Sequence, residues 1–161
     1  MSLPVERVVP GTGAVGVLLL HGLTGTSAEM VPVAEALAGR FPVFMTRIAG
    51  HETSVSELAR SSWRDWYGSA MAGADALLAV TPRIVVVGLS MGAMLTVRLA
   101  LERRDAVAGM ALLSPAIELG RPWVRRLRVP LQWLAAADAQ VPYLTAAVMA
   151  RPGAGWSAAW S

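Results

Sequence analysis

The chain contains no cysteine and no lysine, and its only two histidines lie in the first third of its 161 residues. Without cysteine there is no disulfide, no thiolate zinc site and no cysteine nucleophile. A cytoplasmic setting is compatible with that and is the expectation. The formal charge of +3 is carried by arginine alone. The one local cluster, Arg121, Arg125, Arg126 and Arg128, is interleaved with Trp123, Val124, Leu127 and Val129. That pattern reads as an amphipathic surface segment rather than a nucleic-acid footprint, so no nucleic-acid partner is expected. Long apolar runs are also missing. The stretch 84–97 is interrupted by Gly88, Ser90, Gly92 and Thr96 and falls short of the ~18–20 unbroken residues of a membrane span. Met1 to Arg7 lacks the basic-then-apolar order of a signal peptide.

What is present is a single domain's worth of alternating β-rich and helical patterns, which predicts βα units on a parallel sheet. Val15 to Leu20 is a continuous apolar run, as expected of a strand buried on both faces. A helix is predicted from Pro32 to Gly39, and a second strand from Phe41 to Thr46 with Pro42 at its start. A short helix near Val55–Arg60 precedes a longer one that starts at Ser62 with a capping-box pattern and runs to about Val80. Trp63, Trp66, Ala70, Met71, Ala74, Leu77 and Leu78 fall on one face of it, which reads as core rather than as a cofactor box. Residues 84–88 form the third strand, Met91 to Arg104 the next helix and Val107 to Leu113 the fourth strand. Beyond Pro115 the alternation stops. The expected division is a core over 1–115, an irregular and partly helical cap region over 116–150, and a disordered tail over 151–161.

The chemistry concentrates where the run Ile84-Val85-Val86-Val87 meets Gly88-Leu89-Ser90-Met91-Gly92. A lone G-x-S-x-G in a glycine-rich chain is weak evidence. Set between a buried strand and a helix, it is the pattern of a nucleophile elbow. A serine held at a strained positive φ is pushed clear of the sheet, and the tight crossing leaves no room for a Cβ at Gly88 or Gly92. A second segment supports it: His21-Gly22-Leu23-Thr24-Gly25 ends the first strong strand. The backbone amides of Leu23 and Met91 are candidates for an oxyanion hole, helped by the dipole of the helix that starts at Met91. His21 and Gly22 read as organising the loop. His51 reads as a loop residue near the pocket rim.

These pieces resemble the carboxylesterase and monoacylglycerol-lipase branch of the α/β-hydrolase superfamily. The resemblance rests on Val17 to Gly25, the Gly50-His51 loop, Trp63-Arg64-Asp65-Trp66-Tyr67 and Val87 to Gly92, in order and over residues 15 to about 115. It implies Ser90 as nucleophile, Leu23 and Met91 as oxyanion donors, a carboxylic ester or monoglyceride as substrate, and neither metal nor organic cofactor. Three departures stand out, one being that residues 116–150 fit the beginning of the small cap that follows the family's equivalent of 107–113. Ala49-Gly50-His51-Glu52 replaces the family's Pro-Gly-His-Gly, so a different loop backbone is expected at Glu52. The family's triad acid and histidine follow strands that this chain does not reach. Glu102, Asp105, Glu118 and Asp138 follow Ser90, but none after the right strand. The expectation is therefore an ester hydrolase impaired as it stands, with a non-catalytic acyl- or ester-binding module as the alternative and His51 as a substitute base as a third reading. An unpaired edge on the fourth strand is expected, open to self-association.

Overall fold

The computed structural model describes residues 3–116 and the backbone of 146–150. Among the described residues the chain forms one six-stranded sheet in the order β1-β3-β2-β4-β5-β6. Its parallel centre consists of β2 (Val15–Leu20), β3 (Val43–Thr46), β4 (Arg83–Leu89) and β5 (Val107–Leu113). Two antiparallel strands flank it: β1 (Val8–Val9) on β3, and β6 (Ala146–Ala150) on β5. The helices are α1 (Val31–Leu37), α2 (Val55–Arg60), α3 (Trp63–Leu78) and α4 (Met91–Glu102).

The unbroken apolar strands follow from burial on both sides. Leu18, Leu20, Phe44, Ile84 and Val86 pack with Ala70, Ala74 and Leu77 of α3 and with Leu95 and Leu99 of α4. Their sequence neighbours Val17, Leu19, Val43, Met45 and Val87 pack on the other face with Met30 and with Ala34 of α1. Period-two alternation thus distributes one hydrophobic strand between two cores. Both helices after the 48–52 loop begin with capping boxes, Ser54 with Glu57 and Ser62 with Asp65.

Several expectations need correction. The first helix is preceded by a 3-10 turn over Ser27–Met30, and Pro32 occupies its first turn; Gly39, at φ 78, lies just past its end. Trp63 does not join the core. It opens α3, is 50% exposed and carries the Arg64 guanidinium 5.3 Å over its ring, while Trp66 is half-buried against the core. The unpaired edge expected on β5 is covered over Gly109–Leu113, because β6 supplies an antiparallel partner. That strand lies where the pattern predicts irregular and partly helical chain. Residues 146–150 have no alternation to announce a strand, and the pairing comes from the long-range contact with β5. The rest of the expected cap region and the tail lie outside the described residues.

One contact governs how α4 meets the sheet. A Cβ on Gly92 would stand 2.5 Å from the His21 carbonyl oxygen and as close to that of Leu20. One on Gly88 would run into the Gly92 backbone and the Thr96 hydroxyl. Backbone meets backbone here, so no rotamer change relieves the clash. Gly92→Ala should cost about 3 kcal/mol or more in a urea titration, at or above the upper end of ordinary overpacking. Gly68→Ala, in α3 with nothing within 4 Å of an added Cβ, should instead stabilise by about 0.5–1 kcal/mol. Equal effects of the two substitutions would refute the crossing.

Candidate active site

Ser90 sits at the corner between β4 and α4 with φ 52 and ψ −110. A residue with a Cβ takes that region only when its surroundings impose it. Here they do: the Ser90 amide donates to the Leu113 carbonyl at 2.8 Å, and its carbonyl accepts from Ala93 at 3.1 Å. The Ser90 side chain makes no cap for α4, so its hydroxyl is not consumed by the helix it precedes. The residue is half-buried.

The loop from Gly22 to Thr26 runs beside this corner. A Cβ on Gly22 would stand 3.4 Å from the Ser90 Cβ and 3.6 Å from the Leu89 carbonyl oxygen. Leu23, the next residue, is half-buried. Met91 opens α4, so its amide has no carbonyl one helical turn back to donate to. The two amides singled out from the sequence therefore lie on segments that flank the same corner. Leu23 to Thr26 also line a cavity of about 620 Å³ shared with residues 50–55, Leu58, Ala59, Ser61 and Trp66. Its wall is mostly apolar, and neither Ser90 nor Met91 lines it.

His21 is fully buried and has work for both ring nitrogens. Nε2 accepts from the Ile48 amide at 3.1 Å, which leaves Nδ1 to donate to the Gly22 carbonyl at 2.9 Å. Burial holds its imidazole below the ordinary 6.5, with His51 acting the same way against the Gly22 bond and Glu52. His21 is thus a neutral brace between the Gly22 loop and the 48–52 loop. His51 is also buried, its ring centroid 5.0 Å from that of His21 and 5.9 Å from that of Trp66. Its Nδ1 lies 3.1 Å from the Ala49 carbonyl, and its Nε2 is buried without a partner among the described residues. None of its hydrogen bonds runs to Ser90, so the geometry does not join it to the corner as a base.

The contacts of two carboxylates escaped the sequence reading. Glu52 Oε1 accepts from the Ser27 amide at 2.6 Å. Glu52 itself has φ 58, so the residue that stands for a glycine takes a conformation that glycine adopts without cost. Glu29 lies against the Gly25 backbone, where a Cβ would meet its carboxyl at 2.7 Å. Burial raises the Glu29 pKa, opposed by the Gly22 amide and His51. Contacts spanning 25 residues, as from Ser27 to Glu52, leave no periodic trace. The only available signal was Glu52 itself, out of place in its motif. Among the described residues no group of three or more histidines, aspartates or glutamates is arranged to hold a metal, and no helix is long and apolar enough to cross a membrane.

A strained serine between a parallel strand and a helix, beside a His-Gly loop, defines the class. The chain belongs to the α/β-hydrolase family, whose model, described as alpha/beta hydrolase fold, matches residues 16–145. It is 39% identical to the thermostable monoacylglycerol lipase of Bacillus sp. (strain H-257) over 108 residues, 66% of this chain and 43% of the lipase. Among solved structures it is similar to one reported under LipS and LipT, two metagenome-derived lipolytic enzymes, with TM-score 0.65 and 33% identity over 76% of this chain and 51% of that one. It is also similar to Est816, an N-acyl homoserine lactone degrading enzyme, with TM-score 0.55 and 28% identity over 65% and 39% of the two chains. The chain thus spans about half the length, or less, of these relatives.

The state of His21 has a measurable consequence. Its folded pKa lies below the unfolded value near 6.5, so below that pH the unfolded chain binds the extra proton. The contribution of the neutral brace is complete above about pH 6.5 and is lost as pH falls toward the folded value, at up to about 1.4 kcal/mol per pH unit. Unfolding free energies from urea titrations should decline as pH falls from about 7.5 through 6.5. A flat profile across that interval would contradict the neutral brace.

Proposed function

We propose that this chain carries the nucleophile and oxyanion half of a serine hydrolase of carboxylic esters, of the carboxylesterase or monoacylglycerol-lipase kind. The observation that carries the reading is Ser90 at φ 52 on the strand–helix corner, with the Gly22 loop against its Cβ. Ser90 Oγ attacks the ester carbonyl, and the amides of Leu23 and Met91 receive the oxygen that becomes negative. Such donors act in the transition state because the oxyanion exists only after attack. The mostly apolar cavity beside Leu23 suits the uncharged part of an ester. The lipase at 39% identity and the lipolytic structure at 33% identity support this substrate class.

A serine hydroxyl needs a base to take its proton. In the described site His21 has both nitrogens engaged, and His51 makes no hydrogen bond to Ser90. The 161-residue chain by itself is therefore a weak esterase. Losing a triad histidine costs roughly 10⁶-fold in turnover, while binding and an oxyanion hole alone retain about 10³–10⁴ over water.

Hydrolysis of p-nitrophenyl butyrate by the purified chain tests this directly. Turnover should exceed the buffer rate and stay far below the ~10 s⁻¹ typical of enzymes, and mass spectrometry should find a butyryl adduct on Ser90 that Ser90→Ala lacks, even though the oxyanion hole and binding keep part of the turnover in that variant. Absence of an adduct on Ser90 would dismiss the nucleophile, and turnover at ordinary enzyme rates would dismiss the impairment. Saturable ester binding with no turnover above buffer would favour the non-catalytic binding module instead.

A further inference from the structure

We infer that Glu52 is a positioning residue for the oxyanion loop, its carboxylate clamping the far end of the Gly22–Thr26 segment through the Ser27 amide. The inference rests on the reading of Leu23 as an oxyanion donor. The loop leaves β2 at His21, whose two ring hydrogen bonds hold its near end. Its far end enters the 3-10 turn Ser27–Met30, where Thr26 occupies the capping position but supplies no side-chain bond. Ser27 is 3% exposed, and a buried amide without an acceptor is costly. Glu52 Oε1 meets it at 2.6 Å, and bonds from an amide to an ionised carboxylate are stronger than neutral ones.

The 48–52 loop therefore laces the 21–27 loop at both ends, through Ile48 to His21 and through Glu52 to Ser27. Leu23 lies between the two laces. Thr24, next to it, has φ 60, a backbone that reverts unless held. The bracket is itself held, since the Ala49 amide donates to Ser69 Oγ on α3 at 3.0 Å and the His51 amide to the Ile48 carbonyl at 3.0 Å. Glu52 stands in a left-handed conformation that glycine would relieve. A residue kept there against its backbone preference is kept for its side chain, and the one hydrogen bond that side chain makes among the described residues runs to Ser27 at the far end of the oxyanion loop.

Glu52→Gly and Glu52→Gln, made in the 161-residue chain, separate positioning from plain stability. Glycine relieves the strained φ while removing the clamp, so the melting midpoint should change little. Amide hydrogen exchange should accelerate at residues 23–27 alone, and kcat for p-nitrophenyl butyrate should fall about 10- to 100-fold, as for a modest misplacement near the chemistry. KM should move by less than about twofold, the pattern of an interaction made only in the transition state. Glutamine keeps an acceptor and should restore both exchange and kcat. The clamp is overturned if Glu52→Gly leaves exchange at 23–27 unchanged. Acceleration spread over the whole chain, with kcat and KM altered only in step with stability, would reduce Glu52 to a structural residue and overturn it too. Absence of an acyl adduct on Ser90 discards the esterase reading and the positioning role with it, while exchange at 23–27 still decides whether the clamp exists.

Discussion

The start of α4 is pressed against the carbonyls at the end of β2, and much else in the structure is a consequence of that approach. With no side chain on Gly92, the helix backbone comes within reach of Leu20 and His21. With none on Gly88, β4 and the first turn of α4 close on one another. The chain then has one residue, Ser90, in which to turn from strand to helix, and φ 52 is how it turns. The cost of that conformation is offset by the Leu113 carbonyl and by two well-packed cores on either side of the sheet. A serine on a strained corner at the carboxyl end of the interior strand β4 is thus the by-product of a packing requirement. The same crossing sets α4 with its N-terminal, partially positive end beside the serine.

A second layer of control comes from the two loops that face the corner. His21, read from the sequence as organising its loop, accepts from one loop, donates to another, and is kept neutral by burial. Glu52 does the corresponding job at the opposite end of the same loop. Between them a five-residue bracket, 48–52, fixes a segment that carries an unfavourable backbone at Thr24. Preorganised donors are effective because they need not reorganise as charge develops. On the proposed reading, a loop tied at both ends, at one by the buried His21 and at the other by Glu52, is how a short glycine-containing segment acquires that property.

How much of this was legible in the residues depends on the range of the interaction. Val15–Leu20 and Val107–Leu113 were readable to the residue, because a strand buried on both faces is an uninterrupted apolar run. α2 was equally plain, since its capping box is local. The segments read as the elbow and the oxyanion loop were singled out from motif and order alone, and the structure sets them beside one corner. What was not legible was set from afar. β1 has two residues and exists only because β3 offers an edge. β6 exists through β5. Trp63 fits the helical stripe yet lies half-exposed, because periodicity names a face without saying where along the helix the core ends. The substitution of Glu52 for glycine announced a changed loop. The backbone instead keeps a glycine-like φ, and the change lies in the side chain, in a bond to a residue no pattern connects with it.

The bonds that shape the corner and its facing loop all lie within the described residues 15–116. Ser90 is oriented by β4, β5 and α4; Leu23 is carried by β2 and braced from 48–52. None of these contacts uses a base or an acid directed at the serine. On the proposed reading, transition-state electrostatics and proton transfer come from separable parts of the fold, the first from backbone geometry over a contiguous stretch of chain, the second from side chains that have only to reach Ser90 Oγ. The strain at φ 52 is held by packing behind the serine, with no hydrogen bond to its hydroxyl among the described residues.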